Sequence, residues 1–543
     1  MANKTVKLLI NEKAFPMLYS QAGRPTVDME DIAPRMPGNF YGNSVNADFG
    51  SPQLIFCENV LPFAKGLYSV GYVQQVADIS PAFSQCDQFI TLRDASENLF
   101  GFIPARGANY VLNQATGLWS SVSTLTFTED LVTRAYVNGR TFVCYSKTRI
   151  IEYNSGTGLF TTIALTYPAG LDITKVRGIG ASSNYLLLFT DLTIYWCSPL
   201  DILDFADIDA GAGNQVPIDI QGMITSIMPI SGGFIVYTGR NAVGATFTNN
   251  AQGPFIFRGI TNCGGVSSWE KVTPAADNVG HYIWSSAGLQ LVNLNTAQDI
   301  FPQVTDFLVA KQIERWNSTS KTVDTSTMTT ALSVKMTFVA NRFLVISYGL
   351  VPNSYEYALV YDTALERWGK LKINHVDVFD YPYSSGGGSP FTYDTLKGYY
   401  SDLVLDYFGL GIFSIAVTPA SAGIAFLTNT GSIQILQTDY QQTSAPGVAI
   451  FGHIQQRHRY MITPINIAFD GLKDSPTPAV NVLKSSTGYV RDGVVAAYYD
   501  GSESFSDYKL YKVRTTARNF DIAVEGTFVL SSVLTNIVQN GYR

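Results

Sequence analysis

Short apolar runs separated by polar breaks follow one another along most of this chain, and they repeat in a fixed order. In residues 141–160, TFVCYSKTRIIEYNSGTGLF, an apolar run from Phe142 to Tyr145 is followed by a polar break and a second run from Ile150 to Tyr153. A turn-rich stretch, 154–158, comes next, and a large apolar residue, Phe160, closes the unit. Runs of β-branched and aromatic residues bounded by Asn, Ser, Thr and Gly read as hairpin strands. The same plan recurs at 99–119, ending on Trp119, at 185–205, ending on Phe205, in compressed form at 234–247, and at 281–301. It returns at 342–347 with 355–368, ending on Trp368, and more weakly at 424–439.

The early copies recur roughly every 41 to 44 residues, the spacing at which strand–strand–turn–strand units stack as propeller blades. A single blade cannot bury both of its faces, so neighbours must stack, and the pattern must repeat. The expected fold is therefore all-β, a six- or seven-bladed β-propeller with insertions. Unrelated hairpins in a sandwich are the competing arrangement, which seven ordered copies disfavour. The aromatic residue after each turn is expected to open the outer strand and to pack on the next blade.

Two segments break the rhythm and read as insertions, near 302–333 and near 374–418. In 302–320, Val304, Phe307, Leu308, Lys311, Gln312 and Arg315 fall at helical spacing, which predicts a short helix. The run Gly386–Gly388 reads as a flexible loop. Three divisions result: an N-terminal β or extended region (1–75), the propeller (76–445), and a C-terminal antiparallel β domain (446–543). The last is argued from alternating apolar and polar positions at 479–483, 494–498 and 527–530.

Composition narrows the reading. Charged residues make up 15% of the chain, against roughly 25% in typical domains, while Tyr and Phe number 31 and 32. Either this reflects β-rich sequence alone, or other subunits cover much of the surface, since interfaces are depleted in charge and rich in aromatics. The formal net charge of −7 argues against a protein that grips nucleic acid by neutralising phosphates, though not against a wall that DNA slides past. Five scattered cysteines (Cys57, Cys86, Cys144, Cys197, Cys263) form no CxxC pair and suit a reducing cytosol, with Cys144 and Cys197 expected as buried thiols. The first residues lack a signal-peptide core, and no apolar stretch is long enough for a spanning helix, so a soluble product made in a host cytoplasm is expected.

Candidate chemistry is sparse. Of the histidines His281, His375, His453 and His458, only the last two are close, and their odd spacing sets them on opposite faces of a strand. The stretch containing Asp204, Asp207, Asp209 and Gly211 resembles a calcium loop but lacks the downstream Glu, so it reads as an acidic turn. Gly178 and Gly180 form only a GxG, Ser120 and Ser121 have no positioned base, and Glu129 with Asp130 are merely adjacent. The expectation is no enzymatic activity, no catalytic, cofactor-binding or metal-binding residue, and no cofactor. Basic excess occurs at Arg457, His458 and Arg459 and at Lys509, Lys512, Arg514 and Arg518. It reads as solvated strand faces or cross-subunit ion pairs, with contact to DNA phosphates as the alternative.

Four segments together resemble the tail nozzle (tail tubular or packaged-DNA stabilisation) proteins of short-tailed bacteriophages. They are CENVLPFAKGLYSVGYVQQV (57–76), YWCSPLDILDFAD (195–207), ALVYDTALERWGKL (358–371) and RTTARNFDIAVEGTFVLSSVLTNIVQNGYR (514–543). The aspartate-box pattern of sialidases and blade-end Trp–Asp dipeptides do not occur, and outside the Gly386–Gly388 loop, double glycines as in kelch blades are confined to Gly232-Gly233 and Gly264-Gly265. The resemblance implies a structural subunit of the virion tail, a homo-oligomer of six copies in a ring below the adaptor (head-completion) protein and portal. Such a ring would extend the DNA channel, retain packaged DNA, conduct it during ejection, and offer surfaces to tail fibres. A receptor- or glycan-binding propeller is the alternative, and a polysaccharide-degrading enzyme stands behind it.

Overall fold

The computed structural model describes residues 4–7, 53–63, 66–70, 72–77, 90–93, 99–105, 108–113, 118–121, 133–146, 149–154, 159–248, 250, 253–382, 422–428, 433–436, 446–469, 478–485, 493–505 and 508–539. The fold is all-β and propeller-like, with a ring of five blades recognised in it; among the described residues seven four-stranded antiparallel units can be counted, six as separate sheets and one within a larger sheet. We number them as blades 1 (90–121), 2 (133–162), 3 (178–215), 4 (224–259), 5 (272–299) and 6 (333–375). Blade 7 is composite: Asp377–Pro382, Ala422–Leu427 and Ile433–Leu436 supply three strands, and Tyr72–Ala77, from before blade 1, supplies the fourth. Pairing the first propeller strand with the last blade latches the ring by hydrogen bonds instead of a covalent link.

Local sequence explains the blade form. In blade 2, Thr133–Val137 alternates buried and exposed residues, and its turn to Arg140–Ser146 is Asn138-Gly139. Both turn residues have positive φ, 49° and 78°, as the tight hairpin turn that matches strand twist requires. From blade 2 to blade 7, each interface between successive blades carries an apolar cluster. Phe142, Ile150, Leu186 and Phe205 join blades 2 and 3; Phe189, Trp196, Phe234 and Phe255 join blades 3 and 4; Tyr237, Ile260, Ile283 and Val292 join blades 4 and 5. Burying such a side chain contributes roughly 1.5–3 kcal/mol, so stacking is the main source of stability.

The aromatic residues after the turns behave in two ways. Phe205 enters the blade 2–3 core, and Phe301 packs on Tyr361 and Trp368 of blade 6, with ring centroids 4.7 and 5.2 Å apart. Phe160 instead pairs across its own blade with Tyr153, 5.3 Å away, because the two are direct register partners. The glycine pair at 264–265 has a steric role: a Cβ on Gly265 would overlap the carbonyl of Gly239.

Between blades 5 and 6 the predicted helix is present but shorter, Pro302–Val309. Lys311 has a φ of 56°, which ends it. The chain then forms a hairpin, Gln312–Asn317 with Thr322–Thr327, because its Thr-rich second arm favours strand and Ile313 and Glu314 are held inward. The insertion near 374–418 falls mainly outside the described residues.

The C-terminal strands close a pairing circuit. The 23-residue strand Gly447–Phe469 pairs on one side with both Tyr508–Lys512 and Thr515–Gly526, which the hairpin Ala479–Ser485/Gly493–Phe505 links again. Ile462, Ile465, Val480, Val482, Tyr511, Phe520 and Ile522 fill the interior. On its other side Gly447–Phe469 pairs with Gln53–Glu58 and Val529–Gln539. The hairpin Val60–Phe63/Gly66–Ser69 then bridges Val529–Gln539 to the outer strand of blade 6, Arg367–His375. One hydrogen-bonded sheet thus runs from blade 6 into the C-terminal domain.

Candidate functional site

The inner strands of blades 2 to 7 converge on a cavity of about 170 Å³. Arg134, Lys335, Asp377 and Asp380 bring charge to a lining that otherwise includes Ile227, Met228, Val272 and Phe338. Lys335 Nζ lies 2.7 Å from Asp377 Oδ1, with both side chains nearly excluded from solvent at 4% and 7% exposure. The ammonium also reaches the Val376 carbonyl at 3.4 Å and lies 5.8 Å from the centre of the Trp269 ring. Asp377 accepts the Val378 N–H at 2.9 Å. Its charge is therefore matched by a close cation, as a buried carboxylate requires.

Asp380 accepts the backbone N–H of Ala340. Burial raises its carboxyl above the ordinary range, while that hydrogen bond and the Arg134 charge pull the other way. Burial lowers the Arg134 guanidinium, opposed by Asp377 and then Asp380. Arg134 keeps accessible surface although protein surrounds it, the situation of a side chain facing an internal lumen. A guanidinium stays charged under such shifts. The cavity thus holds two cations against two anions, and can bind waters or a small polar molecule through Arg134 donors and Asp380 acceptors. It has no room for a nucleic-acid duplex.

The sequence-marked histidines separate in space. His281 Nε2–H donates to the Pro229 carbonyl and Nδ1 accepts from the Tyr237 hydroxyl, both at 2.8 Å. His375 Nδ1–H donates to the Ile373 carbonyl at 2.8 Å and Nε2 accepts from Ser347 Oγ at 2.7 Å. Each neutral ring is satisfied by one donor and one acceptor, and burial takes both pKa values down to about 4. His453 and His458 lie in the strand Gly447–Phe469. Cys57, Cys144 and Cys197 are buried free thiols and Cys263 is half-buried; burial pushes Cys57, Cys197 and Cys263 up to about 12. Cys86, Glu129 and Asp130 lie outside the described residues.

The Asp-rich stretch is a set of carboxylate-stabilised turns: Asp204 Oδ1 accepts from Ala206 and Asp207 N–H, and Asp207 Oδ1 from Ala210 N–H. Among the described residues no group of three His, Cys, Asp or Glu is placed to hold a metal. Of the basic excess, Lys512 is exposed at the end of the strand Tyr508–Lys512 and Arg514 is exposed in the link to Thr515–Gly526, and Lys509 lies over the rings of Phe469 and Tyr499, 5.7 Å from each centre. The axial charges were missed by sequence reading because blades 2, 6 and 7 supply them. Their one local signal is charge inside apolar strands, as in SVKMTFV and DVFDYP.

No family model matches the chain, and no curated protein matches it. Among solved structures it is similar to YCF48 from Cyanidioschyzon merolae, at 11% identity, TM-score 0.32, over 53% of this chain and 86% of that one. It is similar as well to BamB from Moraxella catarrhalis, at 9% identity, TM-score 0.32, over 71% of this chain and 99% of that one. Likenesses this distant carry no functional argument, and the propeller is read from its own strand pairing. Among the described residues no helix is long and apolar enough to cross a membrane.

Proposed function

We propose that the protein is a structural subunit of a short-tailed phage's tail nozzle, a ring below the adaptor that extends the DNA channel. The observation that carries this reading is the sheet running unbroken from blade 6 through the 60–69 hairpin into the C-terminal domain. A shared sheet fixes two bodies as one stiff unit, which suits a wall that must hold its shape around pressurised DNA. The segments that carry the sequence resemblance support it by their positions. Residues 195–207 build the outer turn of blade 3, 358–371 lie in the blade 6 hairpin, and 514–539 supply the closing strands of the C-terminal domain. Because the propeller axis admits no duplex, the channel in this reading lies between subunits, with the propellers outside it.

Electron microscopy of the purified chain, alone and mixed with the adaptor protein of its virion, tests the reading. The expected image is a ring with a central opening; monomers under both conditions overturn it. The cavity at Arg134 and Asp380 favours one second reading, a glycan-binding propeller, which predicts binding on a glycan array that Arg134→Ala abolishes.

A further inference from the structure

The cavity between the inner strands offers more hydrogen-bond donors than its own walls accept. Arg134 enters it from the inner strand of blade 2, and its guanidinium makes no hydrogen bond or ion pair with another described residue. Asp377 and Asp380 act on it electrostatically from beyond contact distance. The Lys335 ammonium, by contrast, is occupied by Asp377 and the Val376 carbonyl.

Three buried hydroxyls share the lining. Thr133 Oγ1 accepts the Ile179 N–H at 2.9 Å, and Thr273 Oγ1 accepts the Phe338 N–H at 2.8 Å. Each of these oxygens is used as an acceptor, so its proton is left to donate, and no described residue receives it. Ser226, only 3% exposed, lines the same space and forms no hydrogen bond with a described residue. Water could meet the hydroxyls, but it brings no charge to the guanidinium.

Asp380 gives the site a second pole. It accepts the Ala340 N–H and keeps lone pairs for the hydroxyls of a ligand. Met228 and Phe338 add apolar surface for the C–H groups of a sugar ring. At about 170 Å³ the space admits roughly a dozen waters, the bulk of one sugar residue.

We propose that this cavity binds the carboxylate of an acidic sugar, with the planar fork of Arg134 taking both oxygens. Thr133, Ser226 and Thr273 donate to the ligand's remaining acceptors, and Asp380 receives its hydroxyls. The proposal rests on the glycan-binding reading of the cavity, names the ligand class, and does not depend on ring assembly.

The test is calorimetric titration of the full-length chain with sodium glucuronate, glucose and inorganic phosphate, beside an array of acidic and neutral glycans. Glucuronate and the acidic glycans should bind, and glucose and the neutral glycans should not. Arg134→Gln should weaken glucuronate binding about tenfold or more. Arg134→Lys, which keeps the charge and loses the fork, should recover only part of it. Circular dichroism checks folding, and Ser226→Ala, which removes a single oxygen and should also weaken binding, tests the site if the Arg134 variants do not fold. Wild-type affinity in folded Arg134→Gln, or phosphate bound as tightly as glucuronate, overturns the carboxylate site. Neutral glycans bound as well as acidic ones overturn it too, while leaving the glycan-binding reading intact. No binding to any probe or to the array overturns both.

Discussion

At the scale of single residues, burial decides chemistry. His281 and His375 each have both ring nitrogens committed, and their folded pKa values sit near 4 against 6.5 for an unperturbed ring. Above pH 6.5 both states are neutral and the folded protein has its full stability. Below it the unfolded chain takes up protons that the native one refuses, so stability falls as pH drops towards 4. The loss reaches on the order of 3 kcal/mol per histidine. Urea midpoints at pH 7 and pH 5 should therefore differ clearly, and equal midpoints contradict the assignment. Asp377→Ala strips the Lys335 ammonium of its 2.7 Å partner; a buried cation left so costs about 3–5 kcal/mol, measurable as a lowered denaturation midpoint.

At the scale of elements, the consequential strand is Tyr72–Ala77, which is remote in sequence from the blade it completes. Loop closure over such a separation is offset only if the strand's hydrogen bonds form. Placing proline at Val73 and Gln75 removes two backbone donors and should lower stability by about 3 kcal/mol or more. Blade 7 would then expose an open edge prone to association. Melting temperature and light scattering check this, and an unchanged melt counts against the latch. The helix at 302–309 shows how element boundaries depend on context. Its first turns follow the apolar spacing of Val304, Phe307 and Leu308, but helical periodicity beyond it is coincidental, because a paired arm at 322–327 makes strand the better solution.

At the scale of the whole molecule, the joined sheet couples the propeller to the C-terminal domain. The C-terminal core includes Cys57, Val60 and Leu67 from the N-terminal segment, and Gln53–Glu58 covers one side of its longest strand. Residues 446–543 expressed alone should therefore fail to give a dispersed amide spectrum, whereas the full chain unfolds as a coupled unit in calorimetry. An independently folded fragment contradicts the coupling.

The repeat was legible because each blade writes its hairpin locally: turn glycines and asparagines, period-two apolar runs, and a closing aromatic residue all lie within about forty residues. The all-β class and the candidate blade strands follow from that short-range information. So does the acidity of the 200–219 turns, whose carboxylates bind their own backbone. Only tertiary structure decided which strand completes blade 7, that the 60–69 hairpin joins two bodies, and that Arg134, Lys335, Asp377 and Asp380 share one axis. Those outcomes depend on contacts between residues hundreds of positions apart. Strand alternation specifies which face of a residue is buried, but not which distant strand will bury it.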